Sequence, residues 1–184
     1  MGTGEGSKGH VALRFTGENY AYLQALAAER RSTLSVVMNA ELEFLRTWGL
    51  TTSQQKAMAA EAARRGVSSW QHFRLLLRQY AKSLPPATRS QGPAAEELPT
   101  VRTSFDLDPP NADWLKGVVE DERLGGPTAG CNFVLEFART YGLRADLLAA
   151  VEAEAQRQST TVRSLLRVQM WRFAREIVAK RRHK

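Results

Sequence analysis

Two stretches of this chain spell nearly the same phrase. Glu43-Phe44-Leu45-Arg46-Thr47-Trp48-Gly49-Leu50 returns as Glu136-Phe137-Ala138-Arg139-Thr140-Tyr141-Gly142-Leu143, 93 positions later. The offset persists on both sides: Asn39 returns as Asn132, Leu42 as Leu135, Ala60-Glu61-Ala62 as Ala153-Glu154-Ala155, Arg64 as Arg157, Arg74 as Arg167 and Ala81 as Ala174. A register held over more than forty residues indicates an internal duplication. A duplicated unit that cannot bury its own apolar face packs against its copy, ordinarily about a twofold axis.

Each copy reads as one strand followed by four helices. Val11, Leu13 and Phe15 alternate with His10, Ala12, Arg14 and Thr16, the period-2 pattern of a half-buried strand. Tyr20, Leu23, Leu26 and Ala27 then recur at helical spacing, giving an amphipathic helix. Ser32 or Thr33 caps a second helix with Val36, Val37, Ala40, Phe44 and Trp48 on its apolar face, closed by Gly49. A helix pair fills Thr51 to Leu84, turning at Gly66-Val67-Ser68-Ser69. The second copy opens with Val101, Thr103, Phe105 and Leu107 facing inward, set on the first strand by an offset of 92. Asp108 caps its first helix, with Pro109-Pro110 in the opening turn. Helices follow over 127–142, 144–157 and 160–179. The expected organisation is a flexible tail over 1–9, a first repeat over 10–84, a proline-rich linker over 85–99, a second repeat over 100–179 and a basic tail over 180–184. The two repeats are expected to pack as one intertwined domain: a mainly α chain with one two-stranded antiparallel ribbon.

Charge gives a first indication of partners. The 184 residues carry a formal net charge of +7, which favours an acidic partner, nucleic acid before others. Residues 10–84 hold ten Lys/Arg against five Asp/Glu, and 100–178 hold ten against eleven. No apolar run is long enough to span a bilayer and the N-terminus lacks an apolar signal region, so no membrane partner and a cytoplasmic, nucleoid-associated location are expected. Cys131 is the only cysteine and lies in an apolar helical stretch, where a small buried hydrophobe is expected. His10, His72 and His183 have no partners at ligand spacing, so no metal and no cofactor are expected.

A strand followed by amphipathic helices, present twice, resembles the ribbon-helix-helix family, the MetJ/Arc/CopG group of bacterial and phage DNA binders. The resemblance covers His10 to about Leu50 and Thr100 to about Leu143. It implies a single-chain pseudo-dimer with extra helix pairs, whose two strands zip into a ribbon that enters the major groove of double-stranded DNA. Carried over by position, the base-reading residues are His10, Ala12, Arg14 and Thr16 on the first strand, with Arg102, Ser104 and Asp106 on the second. Arg14 or Arg102 would bond guanine O6 and N7, Ala12 would pack on a thymine methyl, and Asp106 is expected at the ribbon's end, clear of phosphates. Arg14 and Thr16 are expected to face Ser104 and Asp106, making the preferred site an imperfect palindrome. The family also docks the start of its second helix on the DNA backbone, here Ser32, Thr33 and Ser35 with Thr128 in the second copy. Arg74 and Arg167, on the extra helices, are further phosphate candidates.

The aromatic positions of the extra helices, Trp70, Phe73, Tyr80, Trp171 and Phe173, are expected to pack between the copies, although the same helices could bind a partner protein or a second molecule. Glu43 and Arg46, three apart, are expected to form a helix-surface or inter-copy ion pair. No phosphate loop, metal box, nucleophile elbow or shared carboxylate pair occurs, so no enzyme is expected. Two function classes follow: a sequence-specific DNA binder, as transcriptional regulator or as plasmid accessory factor for relaxosome assembly or partition, and a helical interaction module such as an antitoxin or adaptor with a purely structural ribbon.

Overall fold

The structure, a computed structural model, describes residues 9–87 and 98–182. Residues 1–8 of the tail expected over 1–9, most of the expected linker and residues 183–184 lie outside the described residues, while Gly9 belongs to the first strand and not to a tail. Ten elements follow in order: β1 (Gly9–Phe15), α1 (Gly17–Arg30), α2 (Leu34–Thr47), α3 (Thr52–Arg64), α4 (Ser69–Ser83), β2 (Val101–Leu107), α5 (Pro109–Asp121), α6 (Pro127–Thr140), α7 (Ala145–Arg157) and α8 (Val162–Arg182). The chain is mainly helical, with one two-stranded sheet among the described residues. α8 runs through Lys180, Arg181 and Arg182, so the expected basic tail begins as helix.

The chain divides into two compact units, and the division runs across the sequence repeats. The first unit takes Met1–Arg46 and Ala94–Arg139, the second Thr47–Pro93 and Thr140–Lys184.

In the first unit β1 and β2 pair antiparallel, with Ala12 opposite Ser104 at the centre and Gly9 opposite Leu107 at one end. Two seven-residue strands are marginal by themselves and depend on an apolar layer beneath. That layer holds Leu13, Phe15, Phe105 and Leu107, with Leu23, Val37, Met38, Leu42, Leu115, Val118, Val134 and Leu135 from the helices. Phe15 and Phe105 meet edge to face with centroids 5.1 Å apart, an arrangement contributing about 0.5–1.5 kcal/mol beyond area burial. Cys131 belongs to this core, and burial pushes its thiol pKa up to about 12, which makes it inert as a nucleophile.

The buried stripe of α2 differs from the expected one. It comprises Val37, Met38, Glu41, Leu42 and Leu45, while Val36 is 58% exposed. Periodicity missed it because a carboxylate sits within it. Glu41 is 1% exposed and accepts from Tyr22 Oη at 2.9 Å and Arg30 Nη2 at 3.1 Å, so the charge that disqualified the position is satisfied locally.

In the second unit α3 packs on α4 and α8, and α4 also packs on α7 and α8. Capping boxes start α3 (Thr51 with Gln54) and α4 (Ser68 with Gln71), each satisfying two otherwise orphaned amides. The core contains Trp48, Met58, Trp70, Phe73, Leu77, Val151, Leu166 and Met170. Trp171 is not in it, contrary to expectation: it is 42% exposed, with the Arg175 guanidinium 4.6 Å above its ring.

The repeated phrase is explained by its end. After α2, Trp48 (φ 54°) and Gly49 (φ 65°) both turn left-handed; after α6, Tyr141 (φ 54°) and Gly142 (φ 61°) do the same. The reversal therefore begins one residue before the expected glycine. Thr47 Oγ1 accepts from Gly49 N and Thr140 Oγ1 from Gly142 N, each at 3.2 Å. Leu50 N and Leu143 N then donate to the Thr47 and Thr140 carbonyls at 2.9 and 3.0 Å. The phrase is a helix stop that satisfies its own backbone.

Candidate nucleic-acid interface

The outward face of the ribbon follows from strand alternation. With Leu13, Phe15, Phe105 and Leu107 pointed inward, Ala12, Arg14, Arg102, Ser104 and Asp106 are exposed on the other side. The register sets Arg14 opposite Arg102, Ala12 opposite Ser104 and His10 opposite Asp106. The expected facing of Arg14 with Ser104 and Asp106 is thus corrected: the two arginines share one end of the ribbon, and Asp106 lies at the other. His10 contributes its backbone to that end, and its side chain lies outside the described residues.

Thr16 is not on the strand. It follows β1 and caps α1, its hydroxyl accepting from Asn19 N at 3.4 Å, which removes it from the outward row. Like charges directly opposite on neighbouring strands destabilise a ribbon, so Arg14 beside Arg102 has no structural rationale in the strand pairing.

What fixes the ribbon to the helices is a pair of asparagine clamps. Asn132, on α6, donates from Nδ2 to the Arg14 carbonyl at 2.8 Å and accepts at Oδ1 from Thr16 N at 2.9 Å. Asn19 Nδ2 adds bonds to Asn132 O and Oδ1, both 3.0 Å. Asn39, on α2, repeats the arrangement on the other strand. It donates to the Asp106 carbonyl at 2.7 Å and accepts from Asp108 N at 2.9 Å, with Asn111 Nδ2 bonded to Asn39 O and Oδ1 at 3.1 Å. Each clamp joins an asparagine from one half of the chain to the strand of the other.

The repeated arginines complete the clamps. Arg139 Nη1 donates to Asn19 Oδ1 at 3.0 Å and Arg46 Nε to Asn111 Oδ1 at 3.3 Å. Arg139 also pairs with Glu18 at 2.6 Å, an ion pair across the two halves. The echo of Asn39 in Asn132 was visible in the sequence, but the inward-facing Asn19 and Asn111 were missed because a polar side chain on a short helix reads as solvated.

The remaining candidates are more dispersed. Thr33 caps α2 through Val36 N at 3.3 Å, whereas Ser32 N closes the preceding turn on Ala27 O at 2.9 Å. Ser35 Oγ accepts from Asp106 N at 3.3 Å and so serves the ribbon's end. Thr128 is exposed, and its carbonyl accepts from Asn132 Nδ2 at 3.0 Å. Asp108 starts α5 without a side-chain cap bond, its carbonyl taking the amides of Asn111 and Ala112. Arg74 and Arg167 belong to the second unit, Arg74 half-buried and Arg167 exposed.

The unit boundaries redistribute the charge. The second unit holds 17 Lys/Arg against 5 Asp/Glu, while the first, which carries the ribbon, holds 9 against 14. Counting by sequence repeat hid this contrast, because each repeat contributes to both units. Among the described residues no group of three or more His, Cys, Asp and Glu could hold a metal ion, and no helix is long and apolar enough to cross a membrane. Comparisons with family models, with curated proteins and with solved structures return no match.

Proposed function

We propose that this chain is a sequence-specific double-stranded DNA-binding protein that reads base edges in the major groove through the outer face of its ribbon. In this reading the chain is a ribbon-helix-helix pseudo-dimer formed by internal duplication. The observation that carries it is the outward row: Arg14 beside Arg102, then Ala12 beside Ser104, on a two-stranded ribbon whose other face is buried. A two-stranded ribbon fits the major groove, and an arginine there bonds guanine at about 1–3 kcal/mol per good bidentate contact. The doubled asparagine clamps support it further, since they make the ribbon a rigid element on which reading side chains can be held. Transcriptional regulation and a plasmid accessory role in conjugation or partition are the uses that suit such a reader.

A second reading, a helical protein-interaction module such as an antitoxin or adaptor, is favoured by one observation: the acid excess of the unit that carries the ribbon. Selection of bound duplexes from a random pool tests the two. The first reading expects a recovered consensus that Arg14→Ala and Arg102→Ala erase without unfolding the chain; recovery of no consensus defeats it.

A further inference from the structure

We infer that the four-helix unit is the chain's principal electrostatic contact for nucleic acid, gripping the phosphodiester backbone through the outward faces of α4 and α8. This rests on the duplex-DNA reading above and assigns the affinity to a different part of the molecule from the reading residues. The ribbon unit has more carboxylates than cations, so it is poorly suited to hold a polyanion unaided. The four-helix unit has the opposite balance, and the cations are concentrated. α4 carries Arg74, Arg78 and Lys82 with no acidic residue, and α8 carries seven Lys/Arg with only Glu176 against them.

Many basic residues on a helix surface are neutralised by neighbouring acids, and this unit shows that case too. Arg64 and Arg65 are held by Glu61, Arg157 by Glu154 and Arg144 by Asp146. Those three acids belong to α3 and α7. By contrast, among the described residues no carboxylate pairs with Arg78, Lys82, Arg172 or Arg175, and all four are exposed. Arg78 and Lys82 are one turn apart on α4, and Arg172 and Arg175 nearly so on α8, giving each helix a cationic row. Arg175 is further ordered by its stack on Trp171. Leu75 and Val168, which stand at matching positions of the two halves, add exposed apolar surface to the same helices. Uncompensated cations on rigid helices have charge complementarity to a phosphate chain, and an acidic protein is the competing occupant.

The test uses the full chain and a random-sequence duplex, titrated with salt beside the selected duplex. The wild-type protein is expected to lose affinity linearly in log salt, with a slope of about 0.9 for each phosphate contacted. Changing Arg78→Gln, Lys82→Gln, Arg172→Gln and Arg175→Gln together is expected to lower that slope by about 3–4 while keeping the preference for the selected duplex. Arg14→Ala with Arg102→Ala is expected to do the reverse, losing preference and keeping most of the slope. An unchanged slope in the fourfold variant overturns the inference even if the ribbon variant loses its preference. A ribbon variant that keeps its preference, beside a fourfold variant that loses slope, sinks the ribbon reading and sustains this one. Absence of duplex binding by the wild-type chain at low salt, with capture of an acidic protein instead, overturns both.

Discussion

Asn132 and Arg14 stand 118 residues apart in sequence, yet the Asn132 side-chain amide donates to the Arg14 carbonyl at 2.8 Å. Asn39 and Asp106 form the matching contact at 2.7 Å. Each asparagine also accepts from the backbone amide just beyond its strand, so removing it deletes two hydrogen bonds to the ribbon. Asn132→Ala and Asn39→Ala are each expected to cost about 1–3 kcal/mol, read from the denaturant midpoint at constant slope. Equal stability of wild type and Asn132→Ala would show that the clamps do not hold the ribbon.

The facing arginines make a second prediction, with stability and binding moving in opposite directions. Arg14→Ala alone relieves a like-charge pair, so stability is expected to stay level or rise by roughly 0.2–1 kcal/mol at low salt, with the gain fading as salt screens it. Duplex affinity is expected to fall. Parallel melting and anisotropy series would reveal the divergence, and a destabilised Arg14→Ala would mean the arginine has a structural partner.

Two glycines in helices should respond with opposite signs. At Gly17 a Cβ would lie 2.2 Å from Leu98 Cβ and 2.6 Å from the Leu98 carbonyl, so the segment entering β2 passes too close for any side chain. Gly17→Ala is expected to cost about 1–3 kcal/mol through overpacking. Gly117, inside α5, has nothing within 4 Å of such an atom, so Gly117→Ala is expected to gain about 1 kcal/mol from helix propensity. Melting temperatures of the two variants check both expectations.

His72 gives the pH dependence. It is 1% exposed, neither ring nitrogen has a hydrogen-bond partner, and burial holds its pKa below the usual 6.5, with Arg65 acting in the same direction and Glu61 against it. The folded chain therefore keeps this imidazole neutral, and below about pH 6.5 the unfolded chain binds the extra proton. Stability is expected to fall as pH drops through that range. Leu165 occupies the matching position of the second half, and His72→Leu is expected to flatten this part of the profile and raise stability at neutral pH. Glu61 acts lower: Arg64 and then Arg65 bring its pKa from 4.5 to about 2, so its contribution is intact above pH 4.5 and is lost on descending towards 2. A profile of His72→Leu that overlays the wild type between pH 7 and 5 would remove His72 as the cause.

The architecture was legible because its signals are local. Alternation around Leu13 and Phe105 gave the strands, Pro109-Pro110 and Gly142 bounded helices, and the 93-residue echo placed them in two sets. What escaped were charges and amides made acceptable by distant partners. Glu41 reads as surface until Tyr22 and Arg30 close on it, and Asn19 reads as solvated until Asn132 and Arg139 do. Trp171 erred in the opposite direction, an aromatic at helical spacing that stays outside and carries an arginine. Of the expected reading residues, Ala12, Arg14, Arg102, Ser104 and Asp106 lie on one face, while Thr16 was lost to a cap because alternation does not mark where a strand ends.

The chain passes from one unit to the other three times, at Arg46–Thr47, Pro93–Ala94 and Arg139–Thr140. Trimming from either terminus therefore cannot isolate a domain, because every deletion removes half of something. Two separately expressed halves, in contrast, would each carry what the other lacks. Such a protein is a natural subject for fragment complementation, in which neither gene piece alone yields a folded product and co-expression restores both units together.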